Sequence, residues 1–170
     1  LVQGLVLEQS VENNVVITNL DKVIDNVGLV DNKRKGKLAK NAVETFNIKV
    51  SGIGTPVRTL SGGNQQRVVL AKWILTAPKI LILDSPTNGI DVAAKESIHE
   101  LIASLSKKGV SIILISDEET EIMQNCPRAL VMKEGQIVGE YSTSKISEED
   151  LRKKIREAGK DEEDSPKAIS

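Results

Sequence analysis

Leu60-Ser61-Gly62-Gly63-Asn64-Gln65-Gln66-Arg67 is followed, one short helix later, by Ile80-Leu81-Ile82-Leu83-Asp84-Ser85-Pro86-Thr87. The first stretch is a glycine turn opening onto a helix expected to run to about Thr76. The second is an aliphatic strand, entered from Pro78, that ends on a carboxylate. Gly62 and Gly63 let backbone approach a ligand closely. The positive end of the helix and the Ser61 hydroxyl can meet a phosphate. A run of aliphatic residues fixes Asp84 at the carboxyl edge of a parallel sheet, where ligands of open α/β sheets bind and one carboxylate can hold Mg²⁺. Each stretch has a plainer alternative. A Ser-Gly-Gly turn taken alone is more often a helix cap, and a strand-end aspartate can simply cap a turn. The two at this separation, with Pro86 and Thr87 following, favour nucleotide chemistry. The whole reading further requires Gly63 to lie open rather than beneath packed side chains and the Asp84 carboxylate to lie by a crevice, and it falls if either condition fails.

The residues beyond Asp84 keep an α/β rhythm. Residues 94–106 place Ile98, Leu101, Ile102 and Leu105 on one helical face, ended by Gly109. Residues 110–115 read as a second buried strand and 118–125 as a short helix stopped before Pro127. Residues 129–132 and 137–141 read as two more strands joined by a tight Glu134-Gly135 turn, a hairpin. Strand, helix, strand, helix, strand predicts a parallel sheet covered by helices. Upstream, residues 11–30 are apolar but studded with Asn and Asp. Residues 33–46 form a basic helix burying Leu38, Ala42, Val43 and Phe46, so this third reads as a small helical lobe. Residues 52–56 read as a plain linker. Residues 147–158, with a serine cap and Glu148-Glu149 in the first turn, predict a terminal helix, and 159–170 a polar, frayed tail.

The chain has 170 residues, a net charge of −1, 39% hydrophobic residues and 2% aromatics. One domain-sized unit with an aliphatic core is expected, and the balanced charge argues against nucleic acid as a partner. The single cysteine, Cys126, rules out an internal disulfide and suggests a reducing compartment. No apolar run reaches the about 18 residues of a membrane span. The composition reads as soluble and cytoplasmic, and Leu1 in place of Met as a piece of a longer polypeptide.

These motifs resemble those of the ATP-binding cassette (ABC) transporter ATPases. Residues 60–66 resemble the family's signature motif, residues 80–84 its Walker B strand, and Gly89-Ile90-Asp91 its D-loop. The Asn-Gln-Gln after the glycines and the Gly-Ile-Asp-Val of the D-loop are similar to the carboxyl-terminal cassette of tandem ribose- and galactose-type sugar importers. Leu70-Ala71-Lys72-Trp73, Val131-Met132-Lys133-Glu134-Gly135 and Gly4-Leu5-Val6-Leu7 with Ser10-Val11 fit the same subgroup. The resemblance covers roughly residues 1–141. It implies part of a P-loop NTPase (RecA-like) parallel sheet with helices, plus a small ABC helical subdomain. The expected division is 1–64 for that helical subdomain, 65–145 for the carboxyl-terminal half of the catalytic core, and 146–170 for a terminal helix and tail. ATP and Mg²⁺ are the implied cofactors. Ser61, Gly62, Gly63, Gln65 and Asp91 would bind nucleotide, and Asp84 the metal. The implied partners are a second cassette and a transmembrane permease docked on the helical lobe, at the inner face of the cell membrane.

Three departures from the family pattern qualify this. The phosphate loop, Gly-x-x-x-x-Gly-Lys-Ser/Thr, occurs nowhere in the 170 residues, so the chain alone is expected to bind ATP poorly and to be inactive. Ser85 stands where the family has the glutamate that polarises the attacking water, and a lost general base removes about 10²- to 10⁴-fold in rate. Asp117 stands where the switch histidine is expected, as is common in this subgroup. In the family each ATP lies between the phosphate loop of one cassette and the signature of the other. Ser61, Gly62 and Gly63 would then complete a working site in trans, while the site of Asp84, Ser85 and Asp117 would be degenerate. In the full assembly Ser61→Arg is expected to abolish most ATPase activity.

Two other classes compete: a non-hydrolytic regulatory or interaction fragment, and a chromosome-maintenance or repair ATPase of the same family. The latter calls for coiled-coil heptads before the signature, which the sequence lacks. His99 reads as a surface or packing residue, Lys33-Arg34-Lys35 as a solvated helix face, Cys126 as structural, and Trp73 as core.

Overall fold

The computed structural model describes residues 4–160, and the residues expected as a frayed tail from 161 onward lie outside them. Among the described residues two compact units emerge, one from residues up to 81 and 86–113, the other from 82–85 and from 114 onward. The expected line at residue 64 falls inside a helix, because the glycine turn and the helix it opens belong to one packed body.

In the first unit, helices α1 (Val11–Val16), α2 (Asn32–Thr45), α3 (Gly62–Ile74) and α4 (Val92–Lys107) are joined by loops and two short 3₁₀ turns. Local chemistry sets their starts. Ser10 Oγ accepts from Asn13 N at 3.1 Å, opening α1. Asp31 Oδ1 accepts from the amides of Lys33 and Arg34, opening α2. Asp91 Oδ1 accepts from Ala94 N, opening α4. The bond from the Arg34 amide, with smaller help from Lys33, holds the Asp31 carboxyl below its ordinary range. A core of Leu5, Val11, Val15, Ala42, Phe46, Ile48, Val57, Val68 and Ala71 joins α1, α2 and α3. Asn14 on α1 is a buried polar side chain. Asn14 Oδ1 accepts from Val6 N, and Asn14 Nδ2 donates to the carbonyls of Val6 and Ser10, which staples the segment before α1 to that helix.

Residues 52–56 are more than a linker. The amides of Val11 and Glu12 donate to the carbonyls of Thr55 and Ile53, and Ser10 bridges Pro56, so the loop clamps the start of α1. Lys35 is no solvated bystander either, since its ammonium pairs with Glu12 at 3.4 Å and ties α2 to α1. Trp73 is not core. It is 48% exposed, with the Lys72 ammonium 5.5 Å from the centre of its ring. Lys72 instead carries the burial at this end of α3, its ammonium donating to the Gly4 carbonyl at 3.0 Å. A long aliphatic stem with a charged tip can do this where a rigid indole cannot.

Strands β1 (Ile80–Asp84) and β2 (Ser111–Ile115) pair side by side. Ser111 N donates to Lys79 O and Ser85 N to Ile115 O, so the ladder climbs in the same direction on both strands and is parallel. Leu81 and Leu83 are buried, but Ile80 and Ile82 are 61% and 62% exposed. Both strands were expected to be buried on each face. Ile80 and Ile82 share one face of β1, which stays open, and among the described residues no third strand joins the pair. The predicted parallel run also stops there, because β3 (Arg128–Lys133) and β4 (Gln136–Ser142) form a separate antiparallel pair.

In the second unit, Glu134 (φ 49°) and Gly135 (φ 77°) turn β3 into β4 as a two-residue hairpin. Ala129, Val131 and Leu151 form its core, with Ile122, Met123, Tyr141 and Ile146 packed against them. Helices α5 (Glu119–Asn125) and α6 (Glu148–Lys160) are joined by Arg152, which bonds Glu119 and Glu148. Ser147 Oγ caps α6 by accepting from Asp150 N. Among the described residues no helix is long and apolar enough to cross a membrane.

Candidate functional site

The glycine turn begins α3, with Ser61 at the N-cap position and Gly62 as the first helical residue. A serine there usually turns its hydroxyl onto an amide of the first turn. Ser61 makes no such bond, and its hydroxyl is exposed. Instead Ser61 Oγ accepts from Asn64 Nδ2 at 2.9 Å, and Asn64 Oδ1 accepts from Lys49 N at 2.7 Å. The first-turn amides of a helix point along its axis without intrahelical partners, so this end of α3 offers donors and a positive potential to an anion.

Gly62 is half-buried, and a Cβ placed there would be in ordinary van der Waals contact with Ile90 Cγ2 (3.5 Å) and the Gly89 carbonyl (3.8 Å). The D-loop segment therefore flanks the glycine turn within the same unit. Gly63 departs from expectation. It is buried, and a Cβ at this position would lie 2.8 Å from Ala94 Cβ. Glycine at 63 lets α3 approach α4, so the requirement that Gly63 lie open is not met. It is also too strict: amide donors leave along the helix axis, while the Cα on the packed side can be covered. Gln65 is engaged within the lobe, its amide nitrogen donating to the carbonyls of Leu60 and Val57 at 3.1 and 3.3 Å. In this conformation Gln65 braces the loop before the turn. Asp91, the expected D-loop aspartate, caps α4.

In the second unit, the carboxyl ends of β1 and β2 share one edge, since the strands run in parallel. Asp84 ends β1 and is exposed. Ser85 follows in the left-handed region (φ 45°), its amide tied to Ile115 O at 2.8 Å and its hydroxyl 3.4 Å from Asp84 Oδ1. That strained φ is held by the cross-strand bond. Asp117, also exposed, lies just past β2, beside Ser116, whose hydroxyl accepts from Glu118 N at 3.1 Å. Mg²⁺ commonly takes one or two carboxylates and completes its shell with water and phosphate oxygens. A single exposed Asp84 with a neighbouring hydroxyl fits that mode. A protein-only cage does not, for no group of three or more His, Cys, Asp or Glu that could hold an ion occurs among the described residues. Burial, and then the nearby Glu121 charge, push the Cys126 thiol upward, which disfavours its thiolate form.

Sequence reasoning missed the contact of Asn64 with Ser61, although its place three residues after a serine at an N-cap position was a signal that the two could meet. It also missed Ala94, which no local pattern connects to Gly63.

A family model described as ABC transporter matches residues 3–88. The chain is 42% identical over 149 residues to the ribose import ATP-binding protein RbsA of Rhodococcus jostii (strain RHA1), covering 88% of this chain and 29% of that protein. It is likewise 42% identical over 144 residues to the galactose/methyl galactoside import ATP-binding protein MglA of Clostridium tetani, covering 85% of this chain and 29% of that protein. The chain thus spans about three tenths of the length of the curated relatives it matches. Among solved structures, a dimeric bacterial ABC transporter cassette superposes with a TM-score of 0.68 at 22% identity, over 83% of this chain and 60% of that one. At that identity the likeness speaks to the fold.

Proposed function

The chain belongs to the ABC transporter family, and from that premise we propose that it is part of the ATPase of a sugar importer, serving mainly as the half of a nucleotide sandwich that carries the signature. The observation that carries this is the start of α3, where the Ser61 hydroxyl is exposed and withheld from capping its own helix. Facing a phosphate loop on another cassette, Ser61 and the first amides of α3 would close over the terminal phosphate of ATP. Ribose or galactose as cargo is favoured by the likeness to ribose and galactose import proteins. The cassette acts on ATP rather than on the sugar.

Asp84 would hold Mg²⁺ in the chain's own site, together with water and phosphate oxygens. There Ser85 supplies a hydroxyl that cannot act as a base at neutral pH, and Asp117 supplies an acceptor where an imidazole is expected. That site therefore serves binding or regulation rather than hydrolysis, and the chain alone is inactive.

The partner that converts closure into transport would be a membrane permease at the inner face of the cell membrane. The helical lobe carries an open apolar cleft of about 310 Å³ lined by Val6, Val16, Ile17, Leu20, Val30 and Lys35, suited to an apolar segment of such a partner.

Titration with a fluorescent ATP analogue tests the proposal. Tight binding is expected only when the chain is mixed with an intact cassette bearing a phosphate loop, and Ser61→Arg should remove it. Equal binding by the chain alone, or no binding in the mixture, would favour the regulatory fragment instead.

A further inference from the structure

The amide of Asn64 is fixed in its orientation by one partner that has no choice. A backbone N–H can only donate, so the atom facing Lys49 N at 2.7 Å must be the side-chain oxygen. The amide nitrogen therefore faces Ser61 Oγ at 2.9 Å, and a side-chain NH₂ can only donate. Ser61 must accept from Asn64. Its own proton is then left for something else, and its helix does not take the oxygen as a cap.

We infer that Asn64 is a positioning residue for the signature: by occupying a lone pair of Ser61 Oγ it holds that hydroxyl as a donor toward an anionic oxygen of the nucleotide's terminal phosphate. The inference rests on the function proposed above, and the family assignment, not the helix end alone, supplies the site. The anchor is remote in sequence. Lys49 lies just after α2, in the segment where Asn47 (φ 49°) turns the chain into the buried Ile48. The aim of Ser61 is thus set by the packing of the helical lobe. A serine without this partner would be free to rotate and cap the first turn of α3, which would spend its oxygen on an amide and leave its proton undirected.

The test is steady-state ATP hydrolysis by the assembled transporter ATPase carrying Ser61→Ala, Asn64→Asp, Asn64→Ala and the Ser61→Ala/Asn64→Asp pair. Asn64→Asp is near-isosteric and still accepts from Lys49 N, and a carboxylate suits the first turn of a helix. It offers Ser61 only acceptors, however, and draws the hydroxyl proton inward. Ser61→Ala should lower kcat about 10- to 100-fold, the range for one hydrogen bond to a charged group. Asn64→Asp should match it, with KM changing less than kcat. Asn64→Ala, which releases the proton without capturing it, should fall less than Asn64→Asp. In the Ser61→Ala background, Asn64→Asp should add less than about 2-fold, whereas plain repulsion of phosphate by the new charge would persist there. Folding of each variant is checked by the fluorescence of Trp73 on α3.

Asn64→Asp at wild-type rate, Asn64→Ala as damaging as Asn64→Asp, or additive losses in the pair would overturn the inference while Ser61→Ala still upheld the proposed function. An active Ser61→Ala enzyme would overturn both.

Discussion

Alanine at position 63 would put a methyl 2.8 Å from Ala94 Cβ, with neither carbon able to swing aside because each is bonded directly to backbone. Apolar carbons settle about 3.5–4.0 Å apart, so α3 and α4 would have to separate by about 1 Å. Overpacking of this kind costs about 1–3 kcal/mol. Replacing a helical glycine recovers at most about 1 kcal/mol of backbone entropy, and less in a first turn. The net expectation for Gly63→Ala is a loss of about 1–2 kcal/mol, or a fall in Tm of roughly 2–8 °C for a chain of this size. Trp73, the only tryptophan, sits on α3 and reports the change by fluorescence during urea or thermal unfolding. Ala94→Gly alone should cost up to about 1 kcal/mol as a helical glycine. Placed on top of Gly63→Ala it should cost nothing or restore stability, because it deletes the colliding methyl, giving a coupling of about 1–2 kcal/mol in a double-mutant cycle. A Gly63→Ala protein as stable as the wild type, or a coupling near zero, would show that close approach to α4 is not why glycine stands there.

Two further outcomes follow from the same structure. Asn14 is 1% exposed and bonds both backbone groups of Val6, so Asn14→Ala should cost about 2–3 kcal/mol by leaving buried polar groups without a partner, and a urea midpoint within error of wild type would refute this. The Glu119 carboxyl is held below its ordinary 4.5, first by a hydrogen bond to its own backbone amide and then by Arg152. A carboxyl with a lowered folded-state pKa contributes stability that is complete above its ordinary value and lost as pH falls through the lowered one. Glu119→Gln should therefore be less stable than wild type at pH 7, with the gap closing as pH drops below about 4.5, and a pH-independent gap in urea midpoints followed by circular dichroism would contradict it.

The amino-acid sequence by itself determined the elements and the family. The Ser147 cap, the aliphatic run of β1 and the Glu134-Gly135 turn act between residues a few positions apart; the caps at Ser10, Asp31 and Asp91 are just as local, but sequence reasoning missed them. Helical period, capping and turn chemistry are local, so they can be read from a string of letters. The signature and the strand-end aspartate were equally legible, since each is a contiguous motif. What only the tertiary structure decided is which side chains meet across loops. Ala94 explains Gly63 from thirty-one positions away, Lys49 orients Asn64, and Thr55 and Ile53 hold α1. Trp73 turned outward for the same reason, because its place on α3 depends on which helix face the core claims rather than on its own hydrophobicity. The path of the chain brings such partners together, and no periodicity records that path.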